Sequence, residues 1–179
     1  MVEEAKLEPG KGGLVPVGDG WFVVNVAQGN WVKNEAFGSA CIFEGEPEFS
    51  DLGISLQVLA PGESNGYYHR EPENQEDFLV ISGECLVLVE EQERRLEAWD
   101  FVHCPPDTDH IFVGAGEGPC VILMVGTRRS PEIIYPRSEL ALRHGASVES
   151  DANSPREAYA TCPRNEPGGG ESWPGLGLA

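Results

Sequence analysis

The 179-residue sequence predicts an all-β protein, a sandwich or barrel of short strands. Between residues 37 and 127, short apolar runs follow one another, separated by clusters of Gly, Pro, Asn or acidic residues. No ten-residue stretch in that region carries a helical period. Two runs, DFLVIS and CVILMV, are apolar on both faces, which suits strands in the middle of a closed or two-layered sheet.

The elements are expected in this order. A Gly/Glu-rich, mobile start precedes one strand, WFVVNV (21–26). Strands follow at SACIF (39–43), ISLQVL (54–59), DFLVIS (77–82), ECLVLV (84–89), FVHC (101–104), HIFV (110–113) and PCVILMVGT (119–127). Turns fall at PGESNG, Gly83, PPDTD and GAGEG, and the acidic run Glu90-Glu91-Gln92-Glu93 reads as a solvated hairpin tip. Beyond residue 127 the chain turns polar, with a short helix from Ser138 to His144 that Gly145 ends. A second helix begins at SPRE, where Ser154 caps, Pro155 takes the first helical position and Glu157 completes a capping box. The end, PRNEPGGGESWPGLGLA, reads as an extended or disordered tail. The length fits one domain with a sizeable core.

The formal charge of −18 counts against nucleic-acid and anionic-membrane partners, because such a field repels phosphate. No stretch approaches the roughly 20 apolar residues that span a bilayer. The acidic N-terminus lacks the basic and apolar regions of a secretory signal, so a cytoplasmic protein is expected. Five cysteines form no CxxC pair, and four sit in apolar runs, where cysteine acts as a small buried hydrophobe. Neither a disulfide framework nor a thiolate metal site is expected.

The chemistry concentrates in Gly66-Tyr-Tyr-His69-Arg-Glu71-Pro-Glu-Asn-Gln-Glu76-Asp-Phe-Leu-Val-Ile-Ser-Gly83. His69 and Glu71 are two apart, so on a strand they share a face. Glu76 follows across a polar turn, where chain reversal brings its carboxylate back toward the first two. His110 opens the strand HIFV after the turn PPDTD. Two imidazoles and two carboxylates converging from strand ends make a mixed N/O site for a first-row divalent metal. Tyr67 shares the face of His69 and either lines a pocket or fills barrel volume. Arg70 and His103 are expected outside, Arg70 in an ion pair.

Here the sequence resembles the cupin superfamily, with its motifs G-(x)5-H-x-H-(x)3,4-E-(x)6-G and G-(x)5-P-x-G-(x)2-H-(x)3-N. The first appears as His69-x-Glu71, four residues, Glu76, six residues, Gly83; the second as Pro105-x-Asp107, two residues, His110. Glu71 replaces the second histidine, Trp99 and Asp107 replace glycines, Gly114 replaces the final asparagine, and Gly62 lies one residue farther out than the pattern asks. The resemblance implies a double-stranded β-helix, or jelly-roll, barrel over 37–130, with an N-terminal arm (1–36) and a C-terminal extension (131–179) carrying the short helices. It also implies one divalent ion, Fe, Mn, Zn or Ni, held by His69, Glu71, Glu76 and His110.

A second carboxylate makes the shell richer in oxygen and less positive, which disfavours copper. Alternatively Glu71 does not ligate, which leaves three ligands and a carboxylate free for proton transfer; in an enzyme, Glu76 or Glu71 is expected to shuttle a proton. Spacing leaves both readings open. The expected function is a metal-dependent enzyme acting on a small organic molecule, a dioxygenase or related oxidoreductase. A non-enzymatic ligand-binding or sensing module and a sugar isomerase or epimerase are the alternatives; few cations near the motif stand against the last. By resemblance a homodimer is expected, with WFVVNV as a pairing element. The extension either covers the barrel or reaches a neighbouring subunit.

Overall fold

Alternating apolar residues dominate the middle of the chain, and the computed structural model, which describes residues 1–169 and 174, forms them into twelve strands. They are β1 (Lys6–Pro9), β2 (Leu14–Val17), β3 (Asn30–Asn34), β4 (Gly38–Ile42), β5 (Leu52–Leu59), β6 (Glu76–Ser82), β7 (Glu84–Val89), β8 (Gln92–Glu97), β9 (Phe101–Cys104), β10 (His110–Ala115), β11 (Cys120–Thr127) and β12 (Glu166–Pro167). A seven-stranded sheet, β12-β3-β4-β5-β11-β6-β9, faces a three-stranded one, β10-β7-β8, and β1 and β2 form a separate hairpin. All these pairings are antiparallel. This is the expected jelly-roll architecture.

The core lies between the two sheets. Leu59, Phe78, Val80, Cys85, Val87, Phe112, Cys120 and Ile122 pack there from β5, β6, β7, β10 and β11, each at most 2% exposed. Burial of a side chain of this size stabilises by about 1.5–3 kcal/mol. The outer face of the large sheet carries a second cluster around Trp31, Cys41, Leu56 and Val121, packed against Val26 and Phe43. This explains why the two runs apolar on both faces, β6 and β11, sit inside the seven-stranded sheet.

Two expectations are corrected. WFVVNV is not a strand: Trp21 makes one isolated bridge to Glu4, and residues 26–28 form a 3-10 turn capped by Asn25, whose Oδ1 accepts the Ala27 N–H at 2.9 Å. An asparagine that captures its own backbone competes with a ladder. Val23, 77% exposed, has no layer to pack on. The start of the chain instead supplies β1 and β2. The second correction is β8, QERRLE, which sequence reading passed over because only Leu96 among its residues is partly buried. Its hairpin with β7 turns through Glu90 and Glu91, both at positive φ (49° and 56°), the geometry a two-residue loop needs to match strand twist.

The two helices form as their caps predict. Ser138 Oγ accepts the Ala141 N–H at the start of Glu139–Leu142, and Ser154 accepts from Glu157 before Pro155–Ala158. Gly145, at φ +67°, ends the first. The tail expected from Pro163 includes β12; its residues 170–173, with Trp173, and 175–179 lie outside the described residues. Among the described residues no helix is long and apolar enough to cross a membrane.

The extension folds back on its own chain. Arg70 and Ile134 exchange backbone hydrogen bonds, as do Tyr135 and Ala152. Tyr68 N–H reaches the Ala146 carbonyl, and β12 pairs with β3.

Candidate metal centre

His69 and His110 come together because the segment 64–70 runs beside β10. The two residues form an antiparallel bridge, His69 N–H to His110 C=O at 3.1 Å and the reverse at 2.8 Å. Residues opposed across such a bridge project their side chains to one face, and the rings lie 4.9 Å apart. Glu76, the first residue of β6, closes the group: its Oε2 is 3.4 Å from His110 Nε2 and 3.9 Å from His69 Nε2. One ligand atom from each of the three residues lies within 4.8 Å of the other two.

The hydrogen bonds decide what this group can hold. His69 Nδ1 lies 2.8 Å from the Tyr67 carbonyl and His110 Nδ1 lies 3.0 Å from that of Thr108. A carbonyl only accepts, so each Nδ1 carries the proton and each Nε2 presents a lone pair. Burial first, then neighbouring His110, pushes His69 down to about 4, against the pull of Glu76. Burial likewise lowers His110, partly offset by its bond to Thr108. Both rings are therefore neutral at pH 7. Burial raises Glu76, although His69 opposes this. Two imidazole lone pairs and the Glu76 carboxyl group face one point. A cation satisfies that convergence. Two nitrogens and one carboxylate are the donor set of mononuclear iron oxygenases, and they also suit Mn, Zn or Ni.

Glu71 stands apart from the three. It lines the same cavity of about 380 Å³ as Glu76, together with Ser55, Asn74 and Met124. Its Oε2 accepts from Asn74 Nδ2 at 2.8 Å. Burial and then the nearby Glu76 push its carboxyl up to about 7, against that hydrogen bond. The structure thus brings His69, Glu76 and His110 into one cluster and places Glu71 beside it.

Sequence reading missed Asn74, which looked like part of a polar turn. It is 5% exposed; its Nδ2 also donates to the Ser130 carbonyl at 2.7 Å and its Oδ1 accepts the Arg129 N–H at 2.7 Å. It therefore ties Glu71 to the chain leaving β11. Arg70 sits as expected in ion pairs, 3.0 Å from both Asp107 and Asp109. His103 points out to Asp77 at 2.6 Å, and His144 meets Glu93 at 2.9 Å. Tyr67 stacks on Tyr159 of the extension, and Tyr135 places its ring 5.8 Å from that of His69.

The departures from the motif also find their place. Trp99 and Asp107, where glycines stand in the pattern, both have positive φ, 79° and 68°. Gly114 cannot be the pattern's asparagine, because a Cβ there would lie 2.2 Å from the Ala60 carbonyl.

Residues 55–126 match the model of the cupin domain. With the facing sheets and the two motif segments in place, this stretch of the chain is similar to the cupin domain in both sequence and fold. No curated protein matches it detectably. Among solved structures it is similar to the polyketide cyclase RemF of Streptomyces resistomycificus, at 14% identity over 63% of this chain and 83% of that one, TM-score 0.54. It is similar to KdgF of a Halomonas species, at 24% identity over 63% and 97%, TM-score 0.52. These likenesses show the fold. A sugar phosphate isomerase of the cupin superfamily from Silicibacter pomeroyi is 26% identical over 54% of this chain, TM-score 0.48; the chain spans 62% of its length, less than two thirds.

Proposed function

We propose that this protein is a metal-dependent enzyme that oxidises a small organic molecule, of the dioxygenase or related oxidoreductase class. The observation that carries the reading is the fixed tautomer of both histidines, which aims two Nε2 lone pairs at the Glu76 carboxylate. Bound there by His69, Glu76 and His110, a first-row divalent ion would supply Lewis acidity and, if redox-active, single-electron chemistry. Phe78 and Phe112 back His110 with apolar surface and keep water from that side of the group. Glu71 stands in the cavity beside Glu76 with its carboxylate oriented by Asn74, the placement of a group that moves a proton to or from a bound molecule. Arg128, the cation at this cavity, is engaged by Glu44 and Glu48. A phosphosugar would meet carboxylates here, which favours an oxidoreductase over an isomerase of that kind.

The test is elemental analysis of protein purified without chelators, wild type beside Glu76→Ala, followed by oxygen-uptake assays over a small-molecule panel. About one metal per chain, lost in the variant, with oxygen consumed on one substrate is the expected result. No metal in either protein, and no uptake of added metal, would overturn it.

A further inference from the structure

A second compartment neighbours the cavity beside Glu76 along the same two strands. Ala40 pairs with Gln57 and Ile42 with Ser55 across β4 and β5. The two pairs lie two residues apart, so all four side chains enter the barrel from one sheet face. Ile42 and Ser55 line the cavity with Glu76, whereas Ala40 and Gln57 line a neighbouring space of about 440 Å³. Volumes of about 300–1,000 Å³ are those of small-molecule sites. Asn65 of the second space faces Met124 of the first, its Nδ2 4.0 Å from Met124 Sδ.

The wall of this compartment is built in part by the C-terminal extension. Tyr159 lies over it, stacked on Tyr67 at 5.0 Å and edge-on to Phe37 at 5.5 Å, its hydroxyl accepting the Tyr67 N–H. Asn34 Nδ2 donates to the Pro163 carbonyl and to Asn165 Oδ1, and β12 pairs with β3, so the strap is fastened at both margins. The extension therefore covers the barrel of its own chain.

The lining defines a ligand class. Gln57, 7% exposed, spends its Nε2 on the Phe37 carbonyl at 2.7 Å, which fixes the amide. Asn65 Oδ1 accepts the Phe112 N–H at 2.9 Å, while among the described residues its Nδ2 meets only a thioether, a weak acceptor. Phe37 and Tyr159 offer aromatic surface. The formal charge on this lining is Arg164, exposed at the rim. We infer that this strap-covered compartment binds a neutral, ring-bearing molecule with hydroxyl or carbonyl groups, whose oxygen accepts from Asn65 Nδ2 and whose reacting end points toward Glu76. The direction of that end rests on the proposed metal centre; the binding does not.

The probe is 4-hydroxyacetophenone, followed by saturation-transfer NMR on the full chain, with glucose 6-phosphate as comparison. Transfer to the neutral ring and none to the sugar phosphate are expected. Asn65→Asp keeps the oxygen that Phe112 needs and removes the donor, and weakens binding at least tenfold. Ala40→Phe fills the compartment and abolishes binding at unchanged metal content. Glu76→Ala, stripped of metal, still binds the probe; that result with no metal in wild type would sink the metal reading alone. Transfer to the sugar phosphate instead, or transfer to the neutral ring that neither Asn65→Asp nor Ala40→Phe reduces, overturns the inference. Where Ala40→Phe does not fold, Asn65→Asp decides.

Discussion

His69 and His110 oppose each other across a single antiparallel bridge, and the same two peptide units that pair their backbones set their rings 4.9 Å apart. The site therefore depends on two chain segments docking. His110→Ala removes a ligand atom without disturbing the bridge. Metal affinity should fall by more than about 100-fold, beyond what loss of an outer partner costs. Activity should fall with it, while circular dichroism stays that of wild type. Retention of both metal and turnover would rule out a centre on this group.

Arg70 holds those segments together from outside. Its backbone pairs with Ile134, and its guanidinium takes Asp107 and Asp109 from the loop that delivers His110. Burial raises the Asp109 carboxyl, and its bond to Arg70 opposes this. Asp107 is two-thirds exposed, so the pairs contribute at most about 1 kcal/mol of stability. Arg70→Met should thus cost little in a urea titration but lower metal affinity about tenfold through a loosened loop. Unchanged affinity would show that the bridge alone positions His110.

What was legible in the sequence follows from what each signal encodes. His69, Glu76 and His110 stood out because strand ends and fixed spacings place them almost without reference to the rest of the chain. Glu71 did not resolve: its period-two relation to His69 gives the face, but the bond from Asn74 that turns it away arises from the return of residues 127–130. β8 carried no alternation because its surface faces water. WFVVNV carried the composition of a strand, but composition does not supply a partner. The extension's docking was open because Tyr67 and Tyr159 are 92 residues apart, and nothing local marks them as a stack.

Trp99 holds a conformation that suits glycine. At φ +79° an L side chain is strained, and the indole, 72% exposed, recovers little by packing. The turn itself is well made: Trp99 N–H donates to Val80 O at 2.7 Å, and Asp100 Oδ2 accepts the Glu97 N–H at 2.9 Å. Trp99→Gly should therefore stabilise the chain by about 1 kcal/mol in chemical denaturation. Destabilisation instead would mean that the exposed indole is covered in solution, as by the second subunit that the resemblance leads one to expect.

The thiols give a pH dependence whose sign is fixed by burial. Cys41 is pushed up to about 11 and Cys104 to about 12, in both cases chiefly because burial penalises the thiolate. An unfolded thiol titrates near about 8.5. Below that pH both states are protonated and these groups leave stability unchanged. Above it the unfolded chain loses protons that the folded chain keeps, so stability falls as pH rises through the window from about 8.5 to 11, by at most about 1.4 kcal/mol per pH unit for each thiol. Cys162, half-buried with its Sγ 3.2 Å from Tyr67 Oη, is the accessible exception. At pH 8, a disulfide reagent should label Cys162 quickly in native protein and all five thiols only in denaturant. Urea midpoints should drop between pH 9 and 11. Rapid native labelling of Cys41 or Cys104, or flat midpoints across that window, would contradict their burial between and against the sheets.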